Sequence, residues 1–345
     1  MRMTHRAPAL LAAALLTGCG EPTAPGPHGS APAPGTPAAI VAKTKLSIQS
    51  GRFLLNGAVT YPGRAAEGKL MNVRMVNSVF EDANRPSFDA AANTEEFVSR
   101  MSQYVALGVR GFTVSLQGGY PGYEGARNTA FTSQGALRSG YLSRVARVIE
   151  RADALGAVVI LSLFYQRQDQ HLADEKAVRA GVVNAVDWVR TRGYRNVILE
   201  VANEYGHAGF DHAVLRSDAG VASLVRLAND RYPALPVSAS YLRAGLTTSQ
   251  VASASDLLLI HLNSVSLSDV RTRIRALRQA HPGKAVVCIE DARTGSAAAA
   301  AASASVEAGG SYGLMVEDRN QRYPFYFNGR SDDPTAYDRY VALTQ

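Results

Sequence analysis

Residues 154–164 read ALGAVVILSLF, and residues 280–290 read AHPGKAVVCIE. In each, a helix-ending signal, Gly156 in one and Pro282-Gly283 in the other, gives way at once to an unbroken apolar run. Glycine takes the left-handed turn that closes a helix, and proline cannot continue one. An unbroken apolar run, unlike an alternating one, marks a strand covered on both sides, as parallel strands beneath helices are. The same pattern recurs along the chain. Strands are expected at Val73–Phe80, Gly111–Leu116, Ala157–Phe164, Val197–Ala202, Pro236–Ser240, Asp256–Leu262, Ala285–Ile289 and Tyr312–Val316. Helices are expected after them, in turn, at Thr94–Leu107, Arg138–Leu155, Asp174–Arg192, Ser217–Tyr232, Thr247–Ala254, Leu267–Ala280, Ser296–Ala308 and Pro334–Leu343. Eight strand-helix units after residue 45 are the arithmetic of an α/β chain closed into a (β/α)8 TIM barrel. An open doubly wound sheet is the competing arrangement. It announces itself by a glycine-rich phosphate turn, and neither GxGxxG nor GxxxxGK[ST] occurs. The Gly118-Gly119 pair runs into Tyr-Pro-Gly-Tyr, a loop and not a helix start. Ahead of the first unit, Lys45–Gln49 and Arg52–Leu55 flank a Ser50-Gly51 turn, with Asn56-Gly57 beyond. This is a short β-hairpin able to cap one end of the barrel.

The N-terminus reads as an address. Arg2 and Arg6 precede an apolar stretch, Ala7–Leu16, too short to span a bilayer. It ends in Leu16-Thr17-Gly18-Cys19, which resembles a bacterial lipobox. The expected division is a lipoprotein signal peptide over 1–18, a disordered Pro/Gly/Ala-rich tether over 19–43 and the barrel over 44–345. Cys19 would carry the acyl chains, and several chains together anchor stably where one is marginal. The expected location is the bacterial cell envelope, with the outer membrane favoured because Gly20, and not Asp, follows Cys19. The only membrane contact expected is through that lipid. An ordinary signal peptide with a chance LxGC is the other reading.

Composition narrows the function classes. The 345-residue chain is 46% hydrophobic and 19% charged, enough for a large core. The net charge of +7 comes from 36 basic and 29 acidic residues, and 31 of the basic ones are Arg scattered along the chain. A nucleic-acid footprint would cluster, so nucleic acid is not expected as a partner. Two cysteines exclude a disulfide-built scaffold, and Cys288 in its apolar run reads as a core thiol. Oligomeric state is left open.

Chemistry in such a barrel sits at the carboxyl ends of strands. The first strand carries Arg74 and ends near Glu81-Asp82; the second ends at Gln117 and the third at Tyr165-Gln166. The fourth ends at Asn203-Glu204, the fifth at Tyr241 and the sixth at His261-Leu262-Asn263. The seventh ends at Glu290-Asp291 and the eighth at Glu317-Asp318. Carboxylates on the fourth and seventh strands face each other across the mouth. Glycoside cleavage needs such a pair, one carboxyl giving a proton to the leaving oxygen and the other attacking the anomeric carbon. Tyr120, Tyr123, Tyr165, Tyr205 and Tyr241 fall in or beside the mouth loops. Tyr323, Phe325, Tyr326 and Phe327 cluster after the eighth strand, either as a sugar platform or as packing for the last helix.

VILEVANEYGH (197–207), followed by AVVCIEDARTG (285–295), resembles the clan A glycoside hydrolases, the cellulase-like (β/α)8 superfamily. The resemblance implies that Glu204 is the acid/base and Glu290 the nucleophile of a retaining O-glycoside hydrolase. It implies that Asn203 bonds the sugar 2-hydroxyl, that His261 sits near the nucleophile and that Arg74 lies beneath it. Tyr165, Tyr241, Gln117, Asn263 and Glu317 complete the expected substrate-binding set, with a poly- or oligosaccharide as substrate and no cofactor or metal. The sequence departs from the clan in three places. Tyr165 stands where many members have His, Asn263 stands where they have Tyr, and no Trp follows the eighth strand. The only Trp is Trp188, placed by its pattern in a helix core.

Alternatives stay open at this level. Asp291 and Glu317 compete with Glu290. Glu200, four residues before Glu204, shares its face deeper in the barrel and calls for a buried charge partner such as an Arg. His207, Asp211 and His212 form a candidate metal group of a differently acting barrel enzyme. The lost aromatic positions also fit a sugar-binding lipoprotein without turnover.

Overall fold

The computed structural model describes residues 39–118 and 125–345. Cys19, the expected signal peptide, most of the expected tether, and Tyr120 and Tyr123 lie outside the described residues. The barrel's hydrogen bonds begin earlier than residue 44. Ile40 N–H bonds Arg192 O at 3.0 Å, and the Lys43 and Thr44 N–H groups converge on the Asp153 carboxylate at 2.8–3.1 Å.

Strands β1 (Leu46–Gln49), β2 (Arg52–Leu55) and β3 (Ala58–Val59) form a small antiparallel sheet, the expected hairpin with one further strand. Eight parallel strands follow: β4 (Asn72–Arg74), β5 (Gly111–Ser115), β6 (Val158–Phe164), β7 (Val197–Ala202), β8 (Val237–Ser238), β9 (Leu258–His261), β10 (Val286–Glu290) and β11 (Gly313–Leu314). Pairing runs β11-β4-β5-β6-β7-β8, with β9 and β10 paired separately. Single bridges, Ser240 to Leu259 and Val287 to Ser311, close the two seams. The ring is therefore a complete (β/α)8 barrel.

The helices are α1 (Ala90–Ala106), α2 (Ser139–Ala154), α3 (Glu175–Thr191), α4 (Ala213–Arg216), α5 (Asp218–Arg231), α6 (Ser249–Ala254), α7 (Leu267–Ala280), α8 (Gly295–Glu307) and α9 (Pro334–Thr344). Several start where a cap is available. Asp89 accepts from Ala92 N at 2.9 Å, which brings α1 in four residues ahead of expectation. Asp174 and Asp333 cap α3 and α9 in the same way. The first barrel strand ends at Arg74, and a 3₁₀ turn over Val76–Val79 replaces the rest of the expected run to Phe80. The fifth and eighth strands shrink to two residues each.

Side chains alternate along the strands. Val158, Ile160, Ile198, Leu257, Leu259, Val287 and Ile289 point inward and meet Leu46 and Phe53 of the hairpin in one buried cluster. The hairpin thus plugs the floor of the barrel. The outward set, with residues such as Val159, Leu199 and Cys288, joins the helices in the larger core.

Candidate active site

Above the apolar plug the inward positions turn polar. Two residues on from Ile198 stands Glu200, two on from Leu259 stands His261, and two on from Asn72 stands Arg74; all are buried. Period two accounts for these three. It fails for Glu290, which by alternation shares the outward side with Cys288. A register irregularity between Cys288 and Glu290, where β10 pairs with β9, turns Glu290 inward. Asp291 goes the other way. It is fully buried, paired with the Arg293 guanidinium and accepting from Arg293 N–H at 3.2 Å, and takes no part in the cleft.

Glu204 reaches the mouth by a different device. Its backbone lies in the left-handed region at φ 53°, a conformation that costs a non-glycine residue roughly 1–3 kcal/mol. Arg167 at φ 68° and Ser264 at φ 61° share it, each in a loop beside the same opening. The other three non-glycine residues in this region, Ser50, Asn56 and Tyr61, lie in or just after the N-terminal hairpin, so the left-handed backbone is shared between both ends of the barrel.

A cleft of about 360 Å³ opens there. Arg74, Tyr165, Asn203, Glu204, Asn263, Glu290 and Glu317 all line it, joined by Gln166, Arg167, His207, Ala292 and Met315. His261 is buried between the two carboxylates, its Nδ1 3.2 Å from Glu204 Oε1 and 3.7 Å from Glu290 Oε2. An oxygen of Glu204 and an oxygen of Glu290 lie within 4.8 Å of each other. Arg74 Nε meets Glu290 Oε2 at 3.0 Å, and its other arm donates to Asn203 Oδ1 at 2.9 Å. Asn263 donates to Glu290 Oε1 at 2.6 Å, and its amide orientation is set by Ala292 N–H bonding Oδ1 at 2.9 Å. Gln166 donates to Glu204 Oε2 at 3.0 Å and accepts from Asn203 at 3.3 Å. Both oxygens of Glu290 and both of Glu204 are thus held.

Two expected binding residues stand outside the cleft. Gln117 is fully buried and ties loops together: its amide donates to Thr129 Oγ1 and Gln168 O, both at 3.0 Å. Tyr241 packs in a tilted contact against Tyr205, ring centroids 4.9 Å apart, and does not line the cleft. The aromatic cluster after the eighth strand packs inward, Phe325 against Phe80 and Phe327 against Phe97, while Tyr323 and Tyr326 are exposed. Among the described residues Tyr165 is the one phenolic or phenyl ring on the cleft wall. Gln166, named at the third strand end but left out of the expected binding set, lines the cleft, as do Arg167, Ala292 and Met315, which the sequence did not single out.

The charges are interdependent. Burial pushes the Glu204 carboxyl up, but the hydrogen bond and charge of His261, with Arg74 and His207 behind them, outweigh burial and hold it below the ordinary range. Burial opposes charge on His261, yet Glu290 and Glu204 together raise the ring above the usual histidine value. Glu200 accepts from Ser240 Oγ at 2.5 Å, and Arg74 is its leading charge partner, as its position required. Burial still leaves its carboxyl raised.

Glu204, His261 and Glu290 are the one group among the described residues with ligand atoms close enough to share a cation. The Arg74 guanidinium already supplies positive charge to Glu290 at 3.0 Å and would repel a metal ion there. The alternative His207, Asp211 and His212 group does not converge. His207 Nδ1 accepts from Gly209 N at 2.8 Å, and His212 Nδ1 pairs with Asp169 Oδ2 at 2.8 Å.

No protein-family model matches this sequence, and no curated protein does. Solved structures do. A glycoside hydrolase family 5 enzyme of Prevotella bryantii superposes at a TM-score of 0.58 with 9% identity, over 80% of this chain and 96% of that one. An endo-1,4-β-mannanase of Rhizomucor miehei gives 0.57 at 10% identity, over 86% and 99%. A β-1,4-mannanase of the sea hare Aplysia kurodai gives 0.56 at 12% identity, over 86% and 96%. At these identities what is shared is the architecture, and in fold the chain is a (β/α)8 barrel of the kind found in the family 5 glycoside hydrolases.

Proposed function

We propose that this chain is a retaining glycoside hydrolase acting on a poly- or oligosaccharide, with Glu290 as nucleophile and Glu204 as acid/base. The carrying observation is that one oxygen of each carboxylate comes within 4.8 Å of the other's at opposed strand ends. Retaining pairs stand about 5–5.5 Å apart, and inverting pairs about 6.5–9.5 Å to make room for a water. The neighbours' chemistry is in keeping: the Prevotella enzyme was solved with a xyloglucan tetradecasaccharide.

In the first step a Glu290 oxygen attacks the anomeric carbon, the glycosidic C–O bond breaks, and Glu204 gives its proton to the leaving oxygen. In the second, Glu204 takes a proton from water, the water oxygen attacks the same carbon, and Glu290 is released. Arg74 and Asn263 aim the nucleophile; Gln166 and His261 aim the acid/base. Their mutual attraction at 3.2 Å pulls Glu204 below and His261 above their ordinary values, the direction that puts the shared proton on His261 while the cleft is open to solvent. Substrate covering the cleft removes solvent, which favours the neutral pair and moves that proton onto Glu204.

The test is a panel of activated 2-fluoro aryl glycosides followed by mass spectrometry of the digested protein. A glycosyl adduct on Glu290 is expected. Turnover of the matching substrate without any trapped adduct would exclude double displacement, and binding of sugar with no turnover would favour a carbohydrate-binding protein.

The N-terminal reading belongs to the same proposal. Export, cleavage before Cys19 and lipid anchoring would place the hydrolase at the cell envelope, where polysaccharide is met. Cys19→Ser should release the protein from the membrane fraction.

A further inference from the structure

The floor of the barrel carries a second cavity, of about 400 Å³, at the end opposite the cleft. Arg52, Lys69, Arg278 and Lys284 line it, with Glu67 as its single acid. That acid is already engaged. One oxygen pairs with Arg52 and the other accepts from Gly63 N at 2.6 Å. Lys284 spends its ammonium on the end of α6, donating to Ala252 O and Ser255 O at 2.6 Å each. Arg278 makes one long bond, to Ala308 O at 3.3 Å. Lys69 has no acidic partner among the described residues and is half-buried, with the like charges of Arg278 and Arg52 acting on it.

Like charges gathered in a half-buried concavity are unfavourable unless an anion joins them. Lys69 and Arg278 come from chain segments more than 200 residues apart, so the fold itself assembles the cluster. We propose that this pocket binds a phosphate-class dianion, held by Lys69 Nζ and the Arg278 guanidinium with Arg52 alongside. The ion is either free phosphate or the phosphomonoester headgroup of a lipid.

The experiment uses the full chain with Cys19→Ser. Calorimetric titration with sodium phosphate, against sodium chloride at matched ionic strength, should show saturable one-to-one binding specific to phosphate. Lys69→Met and Arg278→Gln should each weaken it at least about tenfold, and Lys69→Arg should largely restore it. Equal responses to phosphate and chloride in the unsubstituted chain would overturn the proposal, whether or not the variants fold. So would unchanged affinity in both folded variants. Flotation with phosphatidylcholine vesicles, with and without phosphatidic acid, separates the sources. Lys69-dependent capture by phosphatidic acid assigns the lipid headgroup, and phosphate binding without capture assigns the free ion. Glycosidase turnover should be the same in all of these variants, so this test and that of the active site fail independently.

Discussion

Along β7, Ile198 and Glu200 sit two residues apart and point to the same side, yet they belong to opposite halves of the barrel. Ile198 joins an apolar plug with Leu46 and Phe53; Glu200 joins a charge network with Arg74, His261 and Ser240. The floor keeps the alternation of regular strands. The mouth departs from it at each catalytic candidate, by the register shift before Glu290 and the left-handed backbone at Glu204. Regular strands suffice to fill space, whereas aiming two carboxylates at one atom takes local violations of regularity.

That contrast can be broken from either end. Glu290→Gln should lower turnover of an activated aryl glycoside by about 10⁴-fold or more, with the unfolding midpoint close to that of the parent. A loss below tenfold would remove Glu290 from the chemistry. Phe53→Ala, in the plug, should do the reverse. It should cost about 3–5 kcal/mol of stability by urea unfolding and leave kcat/KM per folded molecule unchanged. A large drop in kcat/KM at full folding would mean that floor and mouth are coupled. The smallest effect is expected from pH. His261 has its folded pKa raised, so its contribution to stability is complete below the ordinary histidine value of 6.5 and is lost as pH rises through the raised value. His261→Gln should flatten the fall in stability of the parent across that window. Parallel curves for parent and variant would show that the ring is not protonated between the two carboxylates.

The long amphipathic segments and continuous apolar runs were legible in the sequence because burial and period impose them. Leu267–Ala280 and Val197–Ala202 match the structure to the residue. The two-residue strands β8 and β11 were not, because their pairing with neighbours, and not their own composition, decides where they end. At the site, residue type at a strand end located Glu204, Glu290, Asn203, Asn263, Glu317 and Tyr165 on one cleft. It misplaced Gln117, since a strand-end rule carries no information on which neighbour an amide will satisfy. Nothing in the sequence marks the shift at Cys288, and strict alternation would have discarded Glu290 in favour of Asp291.

The two seams of the barrel carry a consequence for the site. β9 and β10 are paired over four positions, while each is joined to the rest of the ring by a single bridge with backbone hydrogen bonds beside it, Asp256 N–H to Val237 O on one side and Cys288 N–H to Ser311 O and Ser311 N–H to Val286 O on the other. His261 and Glu290 therefore ride together on one two-stranded stave, while Glu204 is fixed to the broad six-stranded wall. The spacing of His261 and Glu290 is set within one strand pair, and the gap across which a sugar must fit is set between that pair and the wall that carries Glu204.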